Sequence, residues 1–432
     1  MTDEDRLTGS GGADREAAFA REVEQHLLRN YLAHLAHGLL GQTGFRLLNA
    51  PTFLPAYVLL LSGGSDIAVG VVLSLQALGM VLTPMVGANL IEHRTRVLPV
   101  GLVTGGIMRG MVLLIALSGL VLPERWALPA IGLFVLGFGL FMGMQGVIFN
   151  FLMSKVIPVS KRGRLTGLRN FLAGITSAFV AWVGGEFLIG DTPTIEGYSW
   201  TFMMAFVLTS TGLAMLLFMR EPEPPTVRSR TPLGRRLREL PALLREDPAF
   251  ARYVLARALA TLGRMAAPFY ILYAGREIGL SGQTLAVLTI AFTLAGTVSN
   301  LLWGALADRH GFRLSFLASI ALWVVSTLGL MGTSGLVPTA IVFVGIGAAF
   351  QGFQQSAMNL TLEFGNRDEL PMRIALANTG AEAAGTIGPL LGGLLAAALG
   401  YDAVFVTSMV FLAVGGLMVV RFVPEPRHRA RL

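Results

Sequence analysis

The sequence repeats itself. Gly79, Gly87 and Pro51 recur as Gly296, Gly304 and Pro268, all displaced by 217 residues. Farther along, the displacement is 209. Phe141, Gly143, Gln145 and Asn150 recur as Phe350, Gly352, Gln354 and Asn359, and Arg164 recurs as Arg373. Two displacements near half of a 432-residue chain describe a duplication with a small change of length between the third and fourth segments of each copy. The fold must then be built from two related halves.

The units inside each half are apolar. The chain is 53% hydrophobic and only 14% charged, whereas soluble domains carry about 25% charged residues. Its mean hydropathy is +0.65. Apolar runs long enough to cross the hydrocarbon core as helix recur about twelve times. They cover 35–61, 67–91, 97–122, 127–153, 165–189, 200–219, 251–275, 283–306, 314–333, 338–361, 374–399 and 402–423. Here they are spans 1 to 12. The runs are continuous rather than alternating, which argues against a β-barrel. The expected fold is an all-α polytopic membrane protein of two pseudo-symmetric six-helix bundles. The 52 glycines and 20 prolines suit closely packed, locally broken helices in lipid. Internal symmetry of this kind, in a membrane protein, points to a secondary transporter with its site between the repeats.

A net charge of +7 could suggest nucleic acid, but its distribution argues otherwise. Apart from Arg46, Arg109, Arg125, Arg169, Arg257, Arg264 and Arg276, every Lys and Arg lies at the chain ends or in the even-numbered connections. That asymmetry is the positive-inside pattern and predicts cytoplasmic termini. A multi-pass protein of a bacterial inner membrane is expected, with the bilayer and a small-molecule solute as partners, no nucleic acid, and a monomeric state. Residues 1–30 lack the apolar core of a secretory signal. They read as a cytoplasmic tail, in which 16–29 forms either a short amphipathic helix or an irregular segment. Bundles are expected over 31–219 and 251–423, joined by a cytoplasmic linker at 220–250 and followed by a tail at 424–432. The linker opens Arg220-Glu221-Pro222-Glu223-Pro224-Pro225, which ends a helix. Leu233 to Glu246 then reads as a surface amphipathic helix weakened by Pro241, or as a plain connector. Cysteine is absent, which excludes disulfides and thiolate metal sites. His34 and His37 have helical spacing but no third ligand, so neither a metal nor a cofactor is expected.

The sharpest motif is Gly304-Ala305-Leu306-Ala307-Asp308-Arg309-His310-Gly311-Phe312-Arg313, between spans 8 and 9. It resembles the conserved loop motif of the major facilitator superfamily, G-x-L-a-D-r-x-G-r-k/r. The first half carries a degraded copy, Gly87-Ala88-Asn89-Leu90-Ile91-Glu92-His93-Arg94-Thr95-Arg96, in which Glu92 stands one position late and the second glycine is missing. With the twelve spans and the repeat, the resemblance covers nearly the whole chain. It implies alternating access, a central cavity lined by spans 1, 4, 7 and 10, and a charged latch on the inner face. The latch candidates are Gly87, Glu92, Arg94, Gly304, Asp308, Arg309 and Arg313. The superfamily usually keeps the better copy in the first half, and this chain reverses that.

Ionisable groups at bilayer depth are costly and are functional candidates. Arg46 lies mid-way along span 1, on one helical face with Gln42 and Asn49. Arg264 holds the corresponding place in span 7, at a displacement of 218, on one face with Arg257 and Thr261. On the superfamily's layout both would face the cavity and share an acidic group of the substrate. Span 4 adds Gln145 and Asn150. Span 10 adds Gln351, Gln354, Gln355 and Asn359. Tyr270 and Tyr273 would cover the outer part. The alternative for each amide is an interhelical hydrogen bond, and for Arg46 an internal ion pair with Glu382 or Glu186. Arg109 reads as structural, and Arg169, near the inner end of span 5, as able to snorkel. Carboxylates in the spans are scarce. Glu382 is the proton-coupling candidate, or else a partner for Arg373 or the latch. Unlike many drug–proton antiporters of this superfamily, the chain has no mid-membrane acid in its first half.

These features favour a secondary carrier of an anionic or amphipathic organic solute, with a slight preference for export. The alternative is a non-transporting scaffold, assembly factor or sensor on the same fold. No H-E-x-x-H, complete G-x-S-x-G or P-loop occurs, so an enzyme is not expected.

Overall fold

Spans that face lipid outside and protein inside need their backbone bonds satisfied within the helix, and the chain complies almost throughout. The computed structural model describes residues 10–224, 234, 244–364 and 370–423. Among these residues every regular element is helical. The membrane spans are Leu27–Asn49 with Phe53–Leu61, Asp66–Ile91, Leu98–Val121, Glu124–Val156, Val159–Ile189, Ile195–Phe218, Pro248–Leu262 with Ala267–Ile278, Gly282–His310, Phe312–Met331, Leu336–Leu362, Leu370–Leu399 and Tyr401–Phe422. A further helix, Ser10–Gln25, precedes span 1. The termini at 1–9 and 424–432, and most of the expected surface helix at 233–246, lie outside the described residues.

Among the described residues, by length and hydropathy alone, ten helices qualify as spans, or eleven when the two parts of span 1 count as one. The segment that falls short of the expected twelve is span 7. It carries Arg252, Arg257, Arg264 and Arg276, and it tightens to a 3₁₀ turn over Gly263–Ala266. The repeat explains where it breaks. Pro51 follows Asn49 at the 45° bend of span 1, and its counterpart Pro268 starts the second part of span 7. Proline removes a helical N–H and crowds the preceding turn, so both copies depart from regular α-helix at the same place, span 1 by a bend and span 7 by a 3₁₀ turn.

Packing follows the duplication. In the first half span 1 packs on 5 and 6, span 4 on 2 and 3, and span 3 on 6. In the second half span 7 packs on 11 and 12, span 10 on 8 and 9, and span 9 on 12. Each pairing has its counterpart. The halves meet through span 2 against span 11 and span 5 against span 8, which exchange under the same pseudo-symmetry.

At the end carrying the basic connections (the basic end), the first half is tied by a buried ion pair. Lys155 Nζ lies 2.7 Å from Glu221 Oε1, with both side chains 5% exposed. Lys155 also donates to the Thr95 carbonyl. Glu221 accepts from the backbone N–H groups of Val97 and Leu98 at 2.7 and 2.8 Å, capping the start of span 3. A residue just past span 6 thus fastens spans 3 and 4. Removing one partner strands a charge, which costs about 3–5 kcal/mol. Glu221→Gln and Lys155→Met should each lower the melting temperature of the purified protein, and the double variant by less than the sum. Strict additivity would show that the pair does not couple these elements.

The second half uses a different clasp. Asp247 caps span 7 by accepting from Ala249 and Phe250 N–H, and meets Arg373 Nη1 at 2.7 Å. Burial raises the proton affinity of Asp247. The Phe250 N–H, the Arg373 guanidinium and the Ala249 N–H outweigh it and hold the carboxyl below its ordinary pKa.

Candidate functional site

The two halves come together most closely at the end opposite the basic one (the distal end). A Cβ on Gly70 of span 2 would strike the Pro389 carbonyl and sit 3.1 Å from Gly393 Cα of span 11. A Cβ on Gly185 of span 5 would strike the carbonyl of Gly282 of span 8. Gly282 N–H also donates to the Gly190 carbonyl at 2.8 Å. At this contact span 5 widens to a π-turn over Gly184–Ile189. Thr289 donates to Thr52 at 2.8 Å, across the bend of span 1. Asp66, at the start of span 2, receives Tyr401 Oη at 2.7 Å and Arg276 Nη2 at 3.3 Å, and the Arg276 guanidinium lies 4.0 Å over the Tyr401 ring. The distal end is therefore sealed, largely by backbone against backbone. Asp66 and Tyr401 are far apart in sequence and carry no motif, so sequence reasoning had no means of pairing them with Arg276.

Beneath this seal lies Arg46. It is half-buried, and its guanidinium spans the two halves. Nη1 donates to Thr297 Oγ1 of span 8 at 3.1 Å, and Nη2 to the Asn170 carbonyl of span 5 at 3.4 Å. Both partners are neutral. Gln42, one turn away, bonds its neighbours once its amide is oriented to suit them. It accepts from Arg169 Nε and Nη2 at 3.0 and 3.3 Å and donates to Asn170 Oδ1 at 3.3 Å. Asn49 is exposed and accepts from Gln76 of span 2 at 2.8 Å.

Arg169 is the residue the sequence reading undervalued. It does not snorkel. It is buried, lies against Gly38, where any Cβ would collide with it, and places its guanidinium 5.0 Å over the Phe149 ring. Around the same ring sit His37, stacked at 4.8 Å, and His34, edge-on at 5.0 Å. The signal was the pairing of a large residue with a glycine, which becomes legible only once spans 1 and 5 are known to touch. Arg109 is structural, as its sequence context suggested. It donates to the Thr209 and Gly105 carbonyls at 2.6 and 2.8 Å.

The second half presents Arg264 differently. Its guanidinium lies 5.1 Å over the Phe350 ring, and Glu382 of span 11 is within electrostatic reach. Glu382 itself is half-buried and points toward Gly385, close to Ala77 of span 2. The acid weighed as a partner for Arg46 is thus one whose electrostatic reach includes Arg264. Arg257 is spent on structure, donating to Thr361 at 3.1 Å and Asn378 at 2.9 Å.

Several expected cavity residues point elsewhere. Gln145 faces span 3, donating to the Gly101 carbonyl at 3.2 Å and accepting from Thr104 at 2.8 Å. Tyr270 is buried within the second half, bonded to Thr327 and Trp323 at 2.9 and 3.0 Å. Tyr273 donates to the Met331 carbonyl and packs on Phe405 and Tyr401. Gln351 and Gln355 lie against span 8, near Gly296 and Gly304, and Asn359 donates back to the Gln355 carbonyl. Gln145, Tyr270 and Tyr273 thus satisfy neighbouring helices, as lipid-embedded polar groups commonly do, whereas Asn359 bonds within its own helix and the buried Gln355 Oε1 has no hydrogen-bond partner. Asn150 and Gln354 are exposed.

The two loop motifs also diverge. A Cβ at Gly87 would lie 2.8 Å from the Met144 carbonyl oxygen, whereas at Gly304 the nearest atom is Gln355 Nε2 at 4.0 Å. Gly311 turns the chain with φ +90°, a conformation suited to glycine. Arg313 reaches past the turn to the Val420 carbonyl at 2.9 Å, fastening span 9 to span 12. Asp308 and Arg309 are exposed at the basic end, as is Arg94, while Glu92 is half-buried.

A family model described as the Major Facilitator Superfamily matches residues 39–263 and 253–432. The tetracenomycin C resistance and export protein of Streptomyces glaucescens is 34% identical over 137 residues, 31% of this chain and 25% of that protein. The multidrug resistance protein MdtG of Dickeya zeae is 32% identical over 167 residues, 37% of this chain and 40% of its own length. These matches span well under half the length of either relative. Among solved structures, a D-xylose–proton symporter superposes with TM-score 0.71 at 14% identity, covering 93% of this chain and 99% of that one. The nucleoside transporter NupG superposes with TM-score 0.70 at 12% identity, covering 90% and 98%.

Proposed function

The chain belongs to the major facilitator superfamily, and from that premise we propose that it carries a small amphipathic organic anion across the membrane by alternating access. The observation that carries this reading is Arg46. A permanent cation at mid-span, bridging both halves with neutral partners only, is stabilised by a negative group arriving from outside the protein. Arginine holds carboxylates and other oxyanions through two parallel bonds. Export is the preferred direction, in keeping with similarity to resistance and export proteins. Glu382, within electrostatic reach of Arg264, is the candidate proton-coupling group, and Asp308 with its loop is the candidate latch at the basic end. The protein acts as a monomer in a bacterial inner membrane.

Purified protein in proteoliposomes should drive saturable flux of naphthalene monosulfonate, a simple aromatic anion, above that of empty vesicles. Absence of saturable flux with that probe and with a panel of aromatic carboxylates would reject the reading. The basic end is assigned to the cytoplasm. With no native cysteine, Lys161→Cys should resist an impermeant thiol reagent in intact cells while Ser334→Cys, exposed at the distal end, reacts. The opposite pattern would invert the topology.

A further inference from the structure

We propose that the acid group of the cargo is held by the first half alone, on a corner built from Arg46, Arg169 and Gln42, with Arg264 excluded from holding it. This rests on the anion reading above and specifies its geometry. The corner is continuous. Gln42 binds Arg169 through Nε and Nη2 and touches Asn170, whose carbonyl takes Arg46. Arg46 and Arg169 are thus linked through Gln42 and Asn170. Neither takes part in a salt bridge among the described residues.

Arg169 is the less satisfied of the two. It is only 8% exposed, yet its Nη1 has no hydrogen-bond partner. Both ring nitrogens of fully buried His34, across the Phe149 ring, also lack partners. The charged and titratable groups near Arg169 are His34 and His37 of span 1, with Arg109 of span 3 beyond His37. All are basic. Spans 4 and 6 present the Phe149 ring and the Thr209 carbonyl to this cluster. A buried guanidinium donor without a partner, with no acid beside it, is a place where an oxyanion gains both a hydrogen bond and a counter-charge.

Among the described residues, the second half offers no matching corner of arginine and amide at Arg264. The Arg264 guanidinium lies over the Phe350 ring, and Glu382 of span 11 is an acid within its electrostatic reach. Phe350 and Phe292, 5.7 Å apart, give that half an aromatic wall instead. The cargo this fits has one oxyanion head, a carboxylate or sulfonate, and an apolar body. A molecule with an acid at each end does not fit.

The test is equilibrium binding to the purified full chain in detergent, with a melting curve for every variant. The probes are naphthalene monosulfonate, its neutral alcohol analogue and a naphthalene disulfonate. The monosulfonate should bind best. Arg46→Gln and Arg169→Gln should each weaken it about tenfold or more while leaving the alcohol unchanged, the loss expected for one charge-assisted bond. Arg264→Gln should cost less than about threefold. Arg169→Lys, which keeps the charge, should retain part of the affinity and replaces Arg169→Gln if that variant does not fold. An Arg264→Gln loss as large as that at Arg169, or strongest binding of the disulfonate, would overturn the one-sided site and leave the anion reading standing. A parent protein that binds sulfonate no better than alcohol would overturn both.

Discussion

Leucine in place of Gly70 is expected to reduce transport at least about a hundredfold without unfolding the protein. The Gly70 position faces the Pro389 carbonyl and Gly393 Cα with no room for a side chain. A bulky residue there keeps spans 2 and 11 apart at the distal end. A carrier that cannot close one end cannot complete a cycle, and moving a two-state equilibrium from one side to the other takes only about 5.5 kcal/mol. Backbone overlap of this kind exceeds what side-chain adjustment can relieve. Thr289 provides the readout, because it is buried against Thr52 when the seal is shut. Thr289→Cys should resist an impermeant reagent in the parent and react once Gly70→Leu is added. Normal flux in the Gly70 variant, or continued protection of position 289, would show that the distal contact is not part of the transport cycle.

The second large effect is expected at Arg46. Arg46→Gln should weaken binding of an anionic aromatic probe by about ten- to a hundredfold, the worth of one charge-assisted hydrogen bond of roughly 1.5–3 kcal/mol. Lysine should restore only part, because it lacks the planar two-pronged geometry. Flux should fall in parallel with binding. A structural role predicts something else: a lowered melting temperature with unchanged affinity. The bonds of Arg46 to Thr297 and Asn170 make a modest loss of stability reasonable. The loss of affinity is what separates a binding residue from a brace.

Much of the architecture is legible in the sequence because the bilayer imposes it. Span length, the break at Pro51 and Pro268, and the pairing of the two halves follow from hydrocarbon thickness, proline chemistry and duplication. The orientation of polar side chains does not follow so readily. In water, an amphipathic helix announces its buried face by contrast with its charged one. Here the outward face is as apolar as the inward one. Only 28–50% of each qualifying span is buried within the protein, so hydropathy does not say which way a helix is turned. Gln145 and Tyr270 accordingly looked like cavity residues, yet they bond to spans 3 and 9. Arg169 looked peripheral because it sits near the end of its span, yet the gap left by Gly38 draws it inward. Arg46 and Arg264 were readable as a pair from the repeat. Their different surroundings were not, because duplication preserves positions while Glu382 stands in only one half.

The distal seal is made mostly of glycines and carbonyl oxygens, whereas the candidate cargo corner is made of arginine, amide and aromatic side chains. These two materials respond to mutation in different ways. Side chains around Arg46 can be exchanged over evolutionary time, retuning which molecules are accepted, without touching the surfaces that open and shut. The glycines of the seal admit almost no exchange, since even a methyl group meets backbone. Such a division would let a lineage of carriers diversify its chemistry quickly while its machinery of motion stays fixed, and it marks the seal as the place where a single inhibitor design could meet resistance slowly.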